Sequence, residues 1–99
     1  MISRADLILL LRHHAPELQQ AGVRHLSLFG SVARNEATES SDIDLAAEFA
    51  PDIRLDLWQL SAVQCQVSAL VGQTVDLVPE PVKRPTLKQA IERDRVFVF

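Results

Sequence analysis

LFGSVARNEATESSDIDL, residues 28–45, holds more chemical information than any other stretch of this 99-residue chain. It sets Gly30 and Ser31 ahead of two carboxylates, Asp42 and Asp44, with one residue between them. If the acidic segment is a strand, its period of two puts both carboxylates on one face. Ile43 and Leu45 then turn to the other face, into a core. Two adjacent carboxylates repel each other unless a cation lies between them. Mg²⁺ suits hard oxygen ligands and commonly arrives with a phosphate-bearing substrate. The residues point to metal-assisted phosphoryl or nucleotidyl transfer.

Composition bounds that reading. Ninety-nine residues make one small domain, spanning 1–99, and not two. A hydrophobic content of 47% supports a core without disulfides or a structural metal. The net charge is −3 and the pI near 5.5. Proteins that grip a nucleic-acid backbone usually carry a basic surface, so an extended DNA or RNA substrate is disfavoured. A nucleotide chelated to a metal is compatible, because the metal brings its own positive charge. Cys65 is the only cysteine, which excludes an internal disulfide and a cysteine-based metal cluster and fits a reducing cytoplasm. The apolar run at residues 7–11 is far short of a membrane span or a signal-peptide core.

Outward from the motif, the pattern predicts a mixed order of helices and strands. Ser3, with Asp6 three residues on, caps a helix over residues 4–14 whose inner face is Leu7, Leu10, Leu11 and His14. Pro16 either stops this helix or begins a second turn through Gln20, and Gly22 follows as a C′ residue. Residues 23–29 alternate loosely and read as the first strand. Residues 30–34 open a short helix or turn, and the polar residues 35–41 form a loop. The second strand covers residues 43–49. Pro51 precedes a long helix over residues 54–71, with Leu57, Leu60, Val63, Val67, Leu70 and Val71 at spacings of three and four. Gly72 ends it, and a third strand runs over residues 74–78, closed by Pro79. Thr86 caps a helix to Arg93, and residues 96–99 make a short strand or a docked end. This order implies an α/β sandwich with one sheet. The short link makes the first two strands antiparallel neighbours.

The residues quoted above also resemble a family. Gly30-Ser31, ten intervening residues, then Asp42-Ile43-Asp44-Leu45 is similar to the signature of the polymerase-beta-type nucleotidyltransferase superfamily. Its smallest members, the minimal nucleotidyltransferase (MNT) domains, are about the size of this chain. The resemblance runs from the N-terminal helix through Val75-Asp76-Leu77-Val78 to the final helix. It implies the superfamily palm, a small mixed sheet packed against helices. It also implies two Mg²⁺ ions held by Asp42, Asp44 and Asp76, and ATP as the nucleotide substrate. Gly30, which lets backbone approach a phosphate, Ser31, a hydroxyl donor, and Arg34, a phosphate contact, form the implied nucleotide site. One departure stands out: where the family often has Gly after the basic residue, this chain has Asn35, a residue that tolerates a left-handed backbone.

Family members of this kind are commonly antitoxins paired with an all-helical HEPN-domain toxin, whose tyrosine hydroxyl accepts AMP. The expected activity is therefore adenylylation of a HEPN partner. A chain this short leaves no room for a second domain closing over base and acceptor, which calls for a partner or a second copy. The alternative is a non-catalytic antitoxin or binding module that neutralises its partner by complex formation. A third reading, an aminoglycoside-type transferase, shares only the Gly-Ser to Asp-x-Asp region and needs a further domain. Other residues take plainer roles. Glu36 and Glu39 are solvated loop charges and Ser41 shapes the loop. Glu48 shares the strand face of Asp44 but is expected at the surface. His13, His14 and His25 are surface or edge residues. Cys65 lies on the long helix, and Trp58 either packs in the core, the expected role, or anchors a partner. Lys83, Arg84, Lys88 and Arg93 give the C-terminal part a basic bias, either a solvated face or a docking surface for an acidic partner.

Overall fold

The Ser3 hydroxyl accepts a hydrogen bond from the Asp6 N–H (3.1 Å), and this cap starts the first element of the computed structural model, which describes residues 2–99. Helix α1 (Arg4–His13) buries Leu7 and Leu11, and α2 (Ala15–Gln20) follows with Pro16 in its first turn and Leu18 buried. His14 joins the two helices, so Pro16 begins a second helix instead of merely stopping the first. Strand β1 (Val23–Phe29), the one-turn helix α3 (Gly30–Ala33) and strand β2 (Ile43–Phe49) come next. Helix α4 (Leu57–Val71) carries the chain to β3 (Val75–Glu80), then α5 (Pro85–Asp94) and the two-residue strand β4 (Val96–Phe97) complete it.

The sheet order is β3-β2-β1-β4. β1 pairs antiparallel with β2 and with β4, whereas β2 and β3 are parallel. A parallel pair needs a long crossover, and α4 supplies it. The sheet is therefore mixed, as the α/β reading anticipated. The looseness of alternation in β1 has a structural cause: the register shifts between Val23 and His25, a bulge that lets Val23 and Leu26 both be buried.

One face of the sheet carries Leu26, Leu28, Ile43, Leu45, Val75 and Leu77, which pack with Leu7, Leu11, Leu18, Val63 and Val67 into the main core. The other face has a smaller cluster, where Phe29 and Ala46 meet Ile91 of α5. α5 is tied across this second face at its C-terminal end. Arg95 donates to the buried Ser27 hydroxyl (2.9 Å) and, with both Nη atoms, to Glu80 (3.0 and 2.5 Å). On this second face α5 packs against Phe29 and Ala46, while Asp76 on the edge strand β3 stays exposed.

Several boundaries differ from the sequence reading. α4 begins at Leu57, three residues after the expected start, because the Asp56 carboxylate caps it by accepting the Gln59 N–H (2.8 Å). β3 continues through Pro79 to Glu80. β3 is an edge strand, so the missing N–H of Pro79 removes no ladder bond the sheet requires. α5 starts with Pro85 at its first position after Arg84, and Thr86 lies inside the helix instead of capping it. Trp58 is 83% exposed and Leu57 75%, so neither packs in the core, which α4 enters through Leu60, Val63 and Val67. No helix among the described residues is long and apolar enough to cross a membrane.

Candidate active site

The site begins at the end of β1. Phe29 pairs with Asp44, and the chain then turns sharply at Gly30, whose φ is +76°. A Cβ at that position would lie 2.2 Å from Asp44 Oδ2 and 3.3 Å from Asp44 Cβ. Glycine is required twice over, by the left-handed backbone and by the carboxylate seated against its Cα. Ser31 follows, half-buried in the first turn of α3.

α3 ends in a Schellman motif. The Glu36 N–H donates to Ser31 O (2.8 Å) and the Asn35 N–H to Val32 O (3.0 Å). Asn35 occupies the left-handed position of this motif, with φ +60°. The turn therefore survives the replacement of the usual glycine, because Asn is among the few side chains that adopt this conformation readily. Arg4 adds a further cap by donating to Ala33 O (2.7 Å).

The carboxylates come from three segments. Asp44 lies on β2, Asp76 is its register partner on β3, and Asp42 immediately precedes β2. Side chains directly paired across neighbouring strands share a face, so Asp44 and Asp76 project together onto the second face. Asp44 is half-buried, while Asp42 and Asp76 are exposed. Burial pushes the Asp44 carboxyl above its ordinary pKa, the charges of Asp76 and Asp42 push it further, and the Arg34 guanidinium opposes them. A site that concentrates negative charge in this way is poised to accept a cation.

The donor set tests which cation fits. All three side chains offer carboxylate oxygens, with no thiolate or imidazole among them, which suits a hard divalent ion such as Mg²⁺. Among the described residues, no three His, Cys, Asp or Glu side chains are gathered tightly enough to hold a metal as they stand. Asp44 and Asp76, paired on one face, and Asp42 just before β2 are the side chains that would hold one.

Arg34, expected as a phosphate contact, caps α3 and is about one-third exposed. Its Nε donates to Glu36 (3.1 Å) and its Nη1 to Asp94 (2.6 Å). Glu36 is therefore an ion-pair partner as well as a loop charge. Asp94 was invisible in the sequence pattern. It is the last residue of α5, its side chain is only 3% exposed, and Arg93 holds it from the other side (2.9 and 3.1 Å). The alternating charges of Arg93-Asp94-Arg95 were the one local signal, and they do not name a partner 60 residues away.

Residues held back from the site in the sequence reading remain outside it. Glu48 lies on the same strand face four residues beyond Asp44 and reaches Arg24 (3.8 Å). His14 bonds Glu17 (3.1 Å), and His13 and His25 are exposed. Cys65 is exposed on α4.

Comparison with known proteins agrees with this architecture. The sequence pattern of the family described as "Nucleotidyltransferase domain" matches residues 11–98. A candidate protein adenylyltransferase of Methanocaldococcus jannaschii is 41% identical over 93 residues, covering 90% of this chain and 91% of its own length. The protein adenylyltransferase MntA of Thermococcus cleftensis is 30% identical over 99 residues, covering 99% and 98%. Among solved structures, a candidate minimal nucleotidyltransferase superposes with a TM-score of 0.76 at 29% identity, over 96% of this chain and 95% of that one. A chain from the complex of a tri-AMPylated Shewanella oneidensis HEPN toxin with its MNT antitoxin shares the fold. Its TM-score is 0.67 at 20% identity, over 93% of this chain and 71% of that one.

Proposed function

The chain belongs to the nucleotidyltransferase domain family, and from that premise we propose that it transfers AMP from ATP to a hydroxyl of a HEPN-domain toxin, silencing it as an antitoxin. The observation that carries the chemistry is the pairing of Asp44 with Asp76 across parallel strands, beside a glycine whose Cα abuts the Asp44 carboxylate. Support for the acceptor comes from the names of the relatives, protein adenylyltransferases, and from a fold shared with an MNT antitoxin bound to an AMPylated HEPN toxin.

In this reading Asp42, Asp44 and Asp76 hold two Mg²⁺ ions. Held there, the ions would supply Lewis-acid polarisation of a hydroxyl and neutralisation of charge on pyrophosphate. Gly30 permits close approach of the triphosphate to the backbone, and the Ser31 hydroxyl donates to a phosphate oxygen. Arg34 adds a guanidinium contact to the same tail. Asp76, exposed at the rim, faces the acceptor hydroxyl and helps to take its proton. The exposure of Asp42 and Asp76 leaves these carboxylates accessible to a partner that brings its hydroxyl.

Complex formation without chemistry is the competing reading, and the ungathered carboxylates are the observation in its favour. Incubation with labelled ATP, Mg²⁺ and a HEPN partner separates the two. Label that appears on the partner, and disappears in Asp42→Asn and Asp44→Asn variants that still bind it, supports transfer. Neutralisation that persists in both variants without label overturns it.

A further inference from the structure

Asp94 is out of place by the rules of its own helix. A carboxylate on the last residue of α5 faces the negative end of the helix dipole, where cations are favoured. It is also almost fully buried, which is costly for a charge without partners. Its environment compensates for both. Arg93 reaches both carboxylate oxygens, and Arg34 makes the shorter bond to Oδ2 at 2.6 Å. These guanidiniums, Arg93 first, hold the Asp94 carboxyl down at about 2.

The contact matters because of where Arg34 stands. It caps the one-turn helix that opens at Gly30, its backbone N–H donates to Gly30 O (3.1 Å), and Gly30 is the residue seated against the Asp44 carboxylate. A guanidinium has five N–H groups. One donates to Glu36 and one to Asp94. Among the described residues the other three have no acceptor, and the two bonds fix the guanidinium plane. Without Asp94, Arg34 would keep only its exposed Glu36 contact, an arrangement that costs side-chain entropy to hold still.

Resting on the reading of this protein as an ATP-using transferase, we infer that Asp94 is a positioning residue for nucleotide recognition. It fixes the Arg34 guanidinium beside Asp44, so that the triphosphate tail meets a preorganised partner. Asp94 itself touches no part of the nucleotide.

Calorimetry of ATP with Mg²⁺ and of adenosine alone, on wild type, Arg34→Ala, Asp94→Asn and the double variant, tests this. Arg34→Ala is expected to weaken ATP binding by roughly tenfold or more, the scale of a lost charge-assisted hydrogen bond. Asp94→Asn weakens it by a comparable factor, the double variant is no weaker than Arg34→Ala, and adenosine affinity is unchanged throughout. Asp94→Glu recovers part of the loss. Additive losses, or an Asp94→Asn variant that binds ATP like wild type, overturn the inference and leave the transferase reading intact. Equal loss of adenosine and ATP also overturns it, because that marks a general structural effect. If Asp94→Asn does not fold, the Arg34 Nε–H resonance of the wild-type protein serves instead, and a signal that ATP with Mg²⁺ fails to shift counts against the inference. Wild-type protein that takes up no ATP with Mg²⁺ overturns the transferase reading and the inference together.

Discussion

Replacing Gly30 by alanine perturbs the site at its tightest point. Two costs separate cleanly. The first is conformational: at φ +76° an L side chain is held in the left-handed region, a strain of about 1–2 kcal/mol. The second is steric. The new Cβ would lie 2.2 Å from Asp44 Oδ2 and 3.1 Å from Asp44 Cγ. Turning the carboxylate aside relieves the oxygen, but Asp44 Cβ stays 3.3 Å away, so β2 or α3 must also give slightly. Overpacking of this kind adds about 1–3 kcal/mol. The expected total is about 2–5 kcal/mol. In a domain of this size the conformational part alone lowers Tm by roughly 4–16 °C. Urea denaturation of Gly30→Ala in wild-type and Asp44→Ala backgrounds isolates the steric part due to Cγ and Oδ2, because Asp44→Ala removes those atoms while leaving Cβ and the backbone strain. Gly30→Ala should cost less in the Asp44→Ala background, by up to about 3 kcal/mol. Equal costs in the two backgrounds, within about 0.5 kcal/mol, would refute the argument that Gly30 exists to make room for Asp44.

Three further outcomes are expected. The raised Asp44 pKa means that ionising this group destabilises the fold, a penalty absent below the ordinary carboxylate range and growing as pH rises through the raised value. Asp44→Asn should therefore melt above wild type at neutral pH, with the gap closing as the solution is acidified, and Mg²⁺ should raise the wild-type midpoint at neutral pH more than that of the variant. Asp94 has the opposite sign: its stabilisation is present above about 3.9 and is lost as pH falls toward about 2, so Asp94→Asn should show a shallower acid transition in circular dichroism. Arg95→Ala strips partners from Glu80 and the buried Ser27 and should cost about 1–3 kcal/mol in urea; Arg95→Lys should recover little of it, because an ammonium cannot reproduce the fork on Glu80.

The parts of this fold that were readable in the sequence are those whose causes are local. β1 and β2 took their predicted bounds because apolar residues end sharply at Gly30 on one side and at Pro51 on the other. The left-handed turn at Asn35 was readable only through the family's usual glycine there, combined with the tolerance of Asn for that conformation. The start of α4 was not, since Arg54 and Leu55 are as compatible with a helix as the residues after them, and only the Asp56 cap decides the matter. Trp58 was assigned to the core on hydrophobicity, yet helical spacing cannot say where along a helix the core begins. Asp76 entered only through the family resemblance; its pairing with Asp44 depends on the parallel crossover made by α4, which no local pattern around Asp76 reveals. Asp94 escaped because periodicity carries no information about a single ion pair between distant segments.

That ion pair also sets a timetable for synthesis. Arg34 and Asp94 are 60 positions apart, so a chain leaving the ribosome exposes its glycine turn and its first two acids long before either Asp76 or Asp94 exists. The early half of the polypeptide carries the recognisable signature with its guanidinium held by Glu36 alone. Only when α5 emerges and folds back over the sheet do the last acid and the first basic residue of the motif meet. Completion of the constellation is thus coupled to synthesis of α5, and a product stalled or clipped before it would display the motif without Asp94 to hold its arginine.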